Sequence, residues 1–239
     1  MAEIKGILFD KDGTLVDFEA TWFAIGDRMA LEAAGGDRLK ADALMLAAGY
    51  DAERKCFVAD SVFAAGTNAD IVALWYPDAG NAARQSMVRH FDEVTAVEGA
   101  RAAVPLPGAR EVVAVLHARG LRLGICTNDS TSGAETALAA LGIAQMFEAV
   151  YGYDAVANPK PAPDTIAAFS DLTGLKPSEI AVVGDNRHDL AMARAGGAGL
   201  AVGVLSGNSG RDTLAPLADI VISSVVDLPD ALAARRAAG

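Results

Sequence analysis

The hydrophobic pattern divides the chain into stretches of different period. Residues 4–9 form a short apolar run that reads as a buried strand. The run ends in Asp10-Lys11-Asp12-Gly13-Thr14, a turn-forming sequence. From about Glu19 to Ala103 glycine, proline and strand signals become sparse. There Trp22, Ile25, Met29 and residues 31–33 recur at helical spacing, as do Leu39, Ala43, Leu46 and Ala47, and later Val58, Val62 and Phe63. Thr67-Asn68-Ala69-Asp70 offers a helix start, Tyr76-Pro77-Asp78 a stop and restart, and 85–97 a further long helix.

Val104-Pro105-Leu106-Pro107-Gly108 punctuates the chain, and an alternation begins beyond it. Helical patterns at 109–119, 133–141, 162–172 and 187–195 interleave with apolar strand patterns at 121–126, 149–152, 180–183, 200–204 and 220–222. A last helix starts near Leu228. Gly197-Ala198-Gly199 lacks GxGxxG spacing and reads as a helix stop before a strand. Strands alternating with helices predict an α/β fold, a doubly wound parallel sheet covered on both faces. The first strand precedes the helical stretch and the others follow it. Residues 18–104 are therefore expected to form a helical unit inserted into a core made of 1–17 and 105–239.

Composition narrows the class. At roughly 150 residues per domain, 239 residues suit one large domain or a core with a smaller module. A chain 52% hydrophobic and 21% charged is not disordered, collagenous or a coiled coil as a whole. Its net charge of −11 is repelled by phosphate backbones and anionic membranes, so nucleic acid and membrane surfaces are not expected partners. Its two cysteines, Cys56 and Cys126, form neither a disulfide framework nor a zinc-site spacing and suit a reducing compartment. No run reaches the 18 or so apolar residues of a membrane span, and the first residues lack the pattern of a signal peptide. A soluble, cytoplasmic protein is expected. Oligomeric state leaves no mark on the sequence.

Open α/β sheets bind ligands at the C-terminal ends of their strands, and four segments fall there. They are Asp10-Lys11-Asp12-Gly13-Thr14, Thr127-Asn128, Pro159-Lys160-Pro161 and Gly184-Asp185-Asn186-Arg187-His188-Asp189. With an aspartate's ordinary pKa of about 3.9, Asp10 would be ionised at neutral pH and could attack phosphorus without a separate base. Asp12 can protonate a leaving alkoxide and then activate water, provided that crowding among carboxylates lets it hold a proton. Asp10, Asp12, Asp185 and Asp189 gathered together demand a cation, and an all-oxygen donor set points to Mg²⁺.

In order and spacing the four segments resemble the haloacid dehalogenase-like hydrolase superfamily over residues 4 to about 197, with most likeness to its phosphoglycolate phosphatase branch. The resemblance implies a Rossmann-like core with an inserted α-helical cap. It implies Mg²⁺ held by Asp10, the backbone carbonyl of Asp12 and Asp185, with Asp189 behind them holding a metal-bound water or Lys160. It assigns Lys160 to neutralising Asp10 and the phosphoryl oxygens, and the Thr127 hydroxyl and Asn128 backbone N–H to binding a phosphoryl oxygen. The expected activity is hydrolysis of a small phosphorylated metabolite, phosphoglycolate or a sugar phosphate, through an aspartyl phosphate. A phosphosugar mutase of the same superfamily and a non-catalytic module binding a phosphorylated ligand are the alternatives.

The remaining residues carry plainer expectations. Lys11 should point away from the partners on either side of it. His188 should be an exposed histidine without chemistry, and His90 and His117 should lie on helix surfaces. Cys126 should be a buried core residue, since no base is placed for a thiolate. Phe18, Trp22, Arg54 and Lys55 are candidates to face a substrate from the cap, although aromatic residues at helical spacing more often build a core and cations there are more often solvated.

Overall fold

The computed structural model describes residues 2–237. Its elements in chain order are β1 (Gly6–Phe9), α1 (Phe18–Ala33), α2 (Arg38–Ala47), β2 (Tyr50–Asp51), β3 (Cys56–Phe57), α3 (Val62–Ala65), α4 (Asn68–Trp75) and α5 (Asn81–Ala102). Then follow α6 (Ala109–Ala118), β4 (Arg122–Cys126), α7 (Thr131–Ala140), β5 (Ala149–Tyr151), α8 (Asp164–Thr173), β6 (Ile180–Gly184), α9 (Arg187–Ala195), β7 (Leu200–Val204), α10 (Arg211–Leu214), β8 (Ile220–Ile222) and α11 (Leu228–Ala237).

Six strands form one parallel sheet in the order β5-β4-β1-β6-β7-β8. The strand nearest the N-terminus thus lies inside the sheet, between β4 and β6. All four of its residues are buried, as expected of a strand covered on both faces. Its side chains alternate between two cores. Ile7 and Phe9 join Val113, Leu123 and Val183 on one face, and Leu8 joins Phe169, Val182 and Leu190 on the other. The period-2 geometry of a strand imposes this division.

The segment between β1 and α6 packs around a core of its own. Helix α1 opens with Asp17 accepting from the Ala20 N–H and buries Phe18, Trp22, Ile25 and Met29, a helical stripe. These meet Phe57, Trp75 and Phe91 from the following elements. Three details depart from the sequence expectation. Helix α5 is longer than 85–97 at both ends. Val58 lies outside any helix. Tyr50–Asp51 and Cys56–Phe57 pair as a small antiparallel hairpin. Strands of this length are too short to show a period of two.

Phe91 is the ring on which α4 and α5 meet, 5.8 Å from the Trp75 ring and 6.4 Å from that of Tyr76. Phe91→Ala should cost about 3–5 kcal/mol, the range for removing a buried aromatic ring. A urea titration followed by tryptophan fluorescence reads this as a lower midpoint.

Candidate active site

The four sequence segments converge at the C-terminal edge of the sheet. Asp10 follows β1, Thr127 follows β4, Asp185 follows β6, and Lys160 enters from the loop before α8. The Asp10 N–H bonds to the Val183 carbonyl at 2.8 Å, which extends the sheet by one residue and fixes the start of the first motif. Asp189 is placed by the start of α9. Its Oδ2 accepts from the Asn186 N–H at 3.0 Å while Asn186 Oδ1 accepts from the His188 N–H at 3.0 Å, a reciprocal cap.

Asp10, Asp185 and Asp189 form one carboxylate group, each offering an oxygen within 4.8 Å of the others. They are 6%, 6% and 0% exposed. The Lys160 ammonium sits between two of them, 2.7 Å from Asp10 Oδ1 and 2.6 Å from Asp189 Oδ1. Burial pushes the Asp10 carboxyl up to about 7; Lys160 opposes this, and Asp189 and Asp12 add to it. Burial, then Asp10 and Asp189, push Asp185 well above the usual carboxylate range. Burial alone would lower Lys160, but the Asp10 and Asp189 carboxylates outweigh it and hold the ammonium well above the ordinary lysine value.

Asp185 sits in a close-fitting cradle. A Cβ on Gly13, which has φ +78°, would lie 2.6 Å from Asp185 Oδ2, and one on Gly207 would lie 1.9 Å from it. Glycine at both positions lets backbone approach the carboxylate, and the Asn208 N–H donates to the same oxygen at 3.0 Å. Three buried carboxylates share one ammonium, the donors are all oxygen, and the Asp12 carbonyl accepts no backbone hydrogen bond among the described residues. That donor set fits a hard divalent cation such as Mg²⁺.

Asp12 stands apart from this group. Its Oδ1 accepts from the Trp22 indole N–H at 2.7 Å, and its Oδ2 lies 2.6 Å from the Lys11 ammonium. Lys11 corrects the sequence expectation. It is 1% exposed and turns toward Asp12, with Asp129 Oδ2 at 3.2 Å on its other side. The reason is local. The pleat stops at Phe9, and the left-handed Gly13 bends the chain, so residue 11 no longer obeys strand alternation.

Thr127 is buried, and its hydroxyl accepts from the Asp129 N–H at 3.1 Å. The Asn128 side-chain amide donates to the Ala65 carbonyl at 2.7 Å, joining this loop to the helical segment above. Tyr153 O–H to Asp92 at 2.7 Å makes a second such link.

A cavity lies between the sheet edge and the helical segment. Its lower wall holds Asp10, Asp12, Thr127, Asn128, Lys160, Asp185 and Asp189. Phe18 and Trp22 line its upper wall with Met29, Phe63 and Ile71, while Thr67, Asn68 and Thr95 supply polar groups. Arg54 and Lys55 do not line it; they are exposed beside the β2–β3 turn. His188 corrects its expectation, being half-buried against the cavity with a buried, unpartnered Nδ1. His90 and His117 are exposed, and Cys126 is buried as expected. Asp129 and the 205–209 loop escaped the sequence reading. The Ser206-Gly207-Asn208 run after a strand end was the available signal for the loop.

The sequence profile of the haloacid dehalogenase-like hydrolases matches residues 4–197. The chain is 33% identical over 243 residues to the phosphoglycolate phosphatase of Escherichia coli (strain K12), covering 96% of this chain and 93% of that protein. It is 33% identical over 245 residues to the phosphoglycolate phosphatase of Salmonella typhimurium, covering 97% and 94%. Among solved structures, the HAD phosphatase from Thermococcus onnurineus superposes with a TM-score of 0.66 at 20% identity, covering 96% of this chain and 98% of that one. That likeness concerns the fold alone.

The raised carboxyls make stability depend on pH and cation. A carboxyl whose pKa rises on folding binds its proton more tightly folded than unfolded. Stability therefore falls as pH climbs from the unfolded value of about 3.9 to the Asp10 value of about 7, and stays low above it. In EDTA at about pH 8, Asp10→Asn should melt about 3–6 °C above wild type, and the gap should shrink at about pH 5. Excess Mg²⁺ should close the gap at the higher pH by stabilising wild type. Differential scanning fluorimetry of the two proteins under these conditions reads it.

Proposed function

This chain belongs to the haloacid dehalogenase-like hydrolases, and we propose that it is a Mg²⁺-dependent phosphatase that cleaves a small phosphate monoester through an aspartyl phosphate on Asp10. The observation that carries this reading is the placement of Asp10. It is a buried carboxylate at the cavity floor, with Lys160 at 2.7 Å and two further aspartates beside it.

Asp10, the Asp12 carbonyl and Asp185 would hold the cation. It would supply positive charge to the phosphoryl oxygens and keep Asp10 ionised despite its burial. Lys160 holds one oxygen of Asp10 and orients the other, and it adds charge where the phosphoryl oxygens gather. Asp189 keeps Lys160 there. The Thr127 hydroxyl and Asn128 N–H bind a phosphoryl oxygen. Asp12 gives a proton to the leaving oxygen and takes one from the attacking water. The residues of the upper wall exclude bulk water and contact the leaving group.

The composition of that wall favours one of the two ester types. The lysine that lines the cavity, Lys160, lies in the lower wall, and its ammonium is engaged by Asp10 and Asp189. The face above is aromatic and aliphatic, and the donors of its polar side chains Thr67, Asn68 and Thr95 bond to Asp70, Asp92 and one another, leaving neutral lone pairs toward the cavity. A second anionic group on the substrate would lose its hydration there without gaining an unengaged cation. A neutral, hydroxyl-bearing leaving group, as in a sugar or polyol phosphate, suits these walls better than glycolate.

Phosphate release from a panel of sugar, polyol and carboxylated phosphate monoesters tests the reading. A neutral polyol or sugar ester should rank first and phosphoglycolate below it. EDTA should abolish turnover. Asp10→Asn should lower it by about three orders of magnitude or more while melting as a folded protein. Substantial turnover by that variant would remove the nucleophile assignment.

A further inference from the structure

Between the two aspartates of the first motif stands a buried lysine that the reaction above leaves without a role. The Lys11 ammonium bridges Asp12 Oδ2 at 2.6 Å and Asp129 Oδ2 at 3.2 Å and lies 5.0 Å from the centroid of the Trp22 ring. The Trp22 N–H holds the other oxygen of Asp12 at 2.7 Å. Asp12 is thus gripped on both oxygens. One grip comes from its neighbour at the end of β1 and the other from α1 above the cavity.

This arrangement is not a requirement of the turn. The backbone closes it, with Leu15 and Val16 N–H groups on the Lys11 carbonyl at 2.8 and 3.0 Å and Gly13 supplying the positive φ. Burying an ammonium is costly unless it is well paired, so an apolar side chain at this position would have served a purely structural turn. The pairing continues beyond Asp12. Asp129 Oδ1 accepts from the Ser130 N–H at 2.7 Å, and the Asp129 N–H donates to the Thr127 hydroxyl at 3.1 Å. Lys11 therefore joins the proposed acid–base group to the loop that carries Thr127 and Asn128.

We infer that Lys11, together with the Trp22 N–H, is a positioning residue for Asp12, fixing the orientation of its carboxyl group at the cavity floor. The inference rests on the acid–base role proposed for Asp12. In the first step the bond from Asp10 Oδ to phosphorus forms and the bond from phosphorus to the ester oxygen breaks. The Asp12 carboxyl proton passes to that oxygen, giving a free alcohol and the Asp12 carboxylate. In the second step a water oxygen bonds to phosphorus and the bond to Asp10 Oδ breaks. A water proton returns to Asp12, and phosphate is released. The grip holds in place the group that supplies this proton. Its effect is therefore largest when the leaving oxygen needs a proton. An aliphatic alkoxide needs one; p-nitrophenolate leaves without it.

The test compares kcat/KM, which reports the steps up to leaving-group release, for two substrates in saturating Mg²⁺. One is p-nitrophenyl phosphate and the other the aliphatic ester of highest turnover in the panel. Lys11→Met should lower kcat/KM on the aliphatic ester by about 10–100-fold and on the aryl ester by less than about 3-fold. Lys11→Arg should keep the wild-type ratio even if its absolute rates fall through crowding. Trp22→Phe keeps the ring and removes the N–H; it should shift the ratio the same way by a smaller factor. It also carries the test if Lys11→Met fails to fold. Equal losses on both esters in Lys11→Met and Trp22→Phe would reduce Lys11 to a tie between loops and overturn the inference. Asp12→Asn separates the two levels. A ratio unchanged in that variant would remove the acid–base reading itself, whereas a large split there with none in the Lys11 variants would remove only the positioning role.

Discussion

Lys160 lies between Asp10 and Asp189, and Lys11 between Asp12 and Asp129, and these two buried ion clusters let five aspartates share one end of a parallel sheet. Two like charges about 5 Å apart repel by about 3–4 kcal/mol at an effective dielectric near 20, a large share of what holds a domain folded. The Asp10 cluster sets three carboxylates against one ammonium, which leaves two negative charges when all are ionised. The Asp12 cluster sets two against one. A doubly charged cation therefore answers the first cluster and not the second. Burial raises the carboxyls of Asp10 and Asp185, and their acidic neighbours add to it. The fold concentrates this charge where strand ends, a helix start and two glycine turns meet, so removing one member unbalances the rest.

Side-chain hydrogen bonds tie the helical segment to the sheet edge, and one of them reaches that charge. Trp22 reaches Asp12, Asn128 reaches the Ala65 carbonyl, and Tyr153 reaches Asp92. Only the first of these links touches a group proposed for proton transfer. It places the indole of α1 between the apolar core of its own segment, which Trp22 helps to build, and the acid–base pair below. Movement of α1 away from the sheet would remove one of the two grips on Asp12.

Much of this was legible in the sequence, for local reasons. The buried run before Asp10, the punctuation at residues 104–108 and the alternation after it place the strands, and strand ends place the carboxylates. Helical spacing marks Phe18 and Trp22 but cannot say that they face a cavity as well as a core. What stayed hidden depends on contacts between distant segments. Asp129 gains importance only because Lys11 bends toward it across the turn. His188, in the first turn of α9, lines the cavity, a placement that no local pattern announces. The β2–β3 hairpin is set by tertiary packing of Tyr50 and Phe57 against Phe23, Phe18 and Phe63 rather than by any periodicity of its own.

The two walls of the cavity answer to different constraints. The lower wall is fixed by charge balance and by backbone approach at Gly13 and Gly207, so few substitutions there leave the carboxylates in place. The upper wall belongs to a segment with its own hydrophobic core, where an apolar side chain can change in size or shape if neighbours repack. One-third identity to phosphoglycolate phosphatases over nearly the whole chain therefore argues for a shared way of handling the phosphoryl group more strongly than for a shared leaving group. The leaving group is read by the wall that is freer to diverge. In this chain that wall offers rings, methyl groups and three neutral polar side chains, and its lysine below is already held by two carboxylates. A carboxylate on the leaving group would stand near Asp10, Asp185 and Asp189 with Lys160 already held by two of them, whereas a neutral hydroxyl-bearing group would meet no such repulsion.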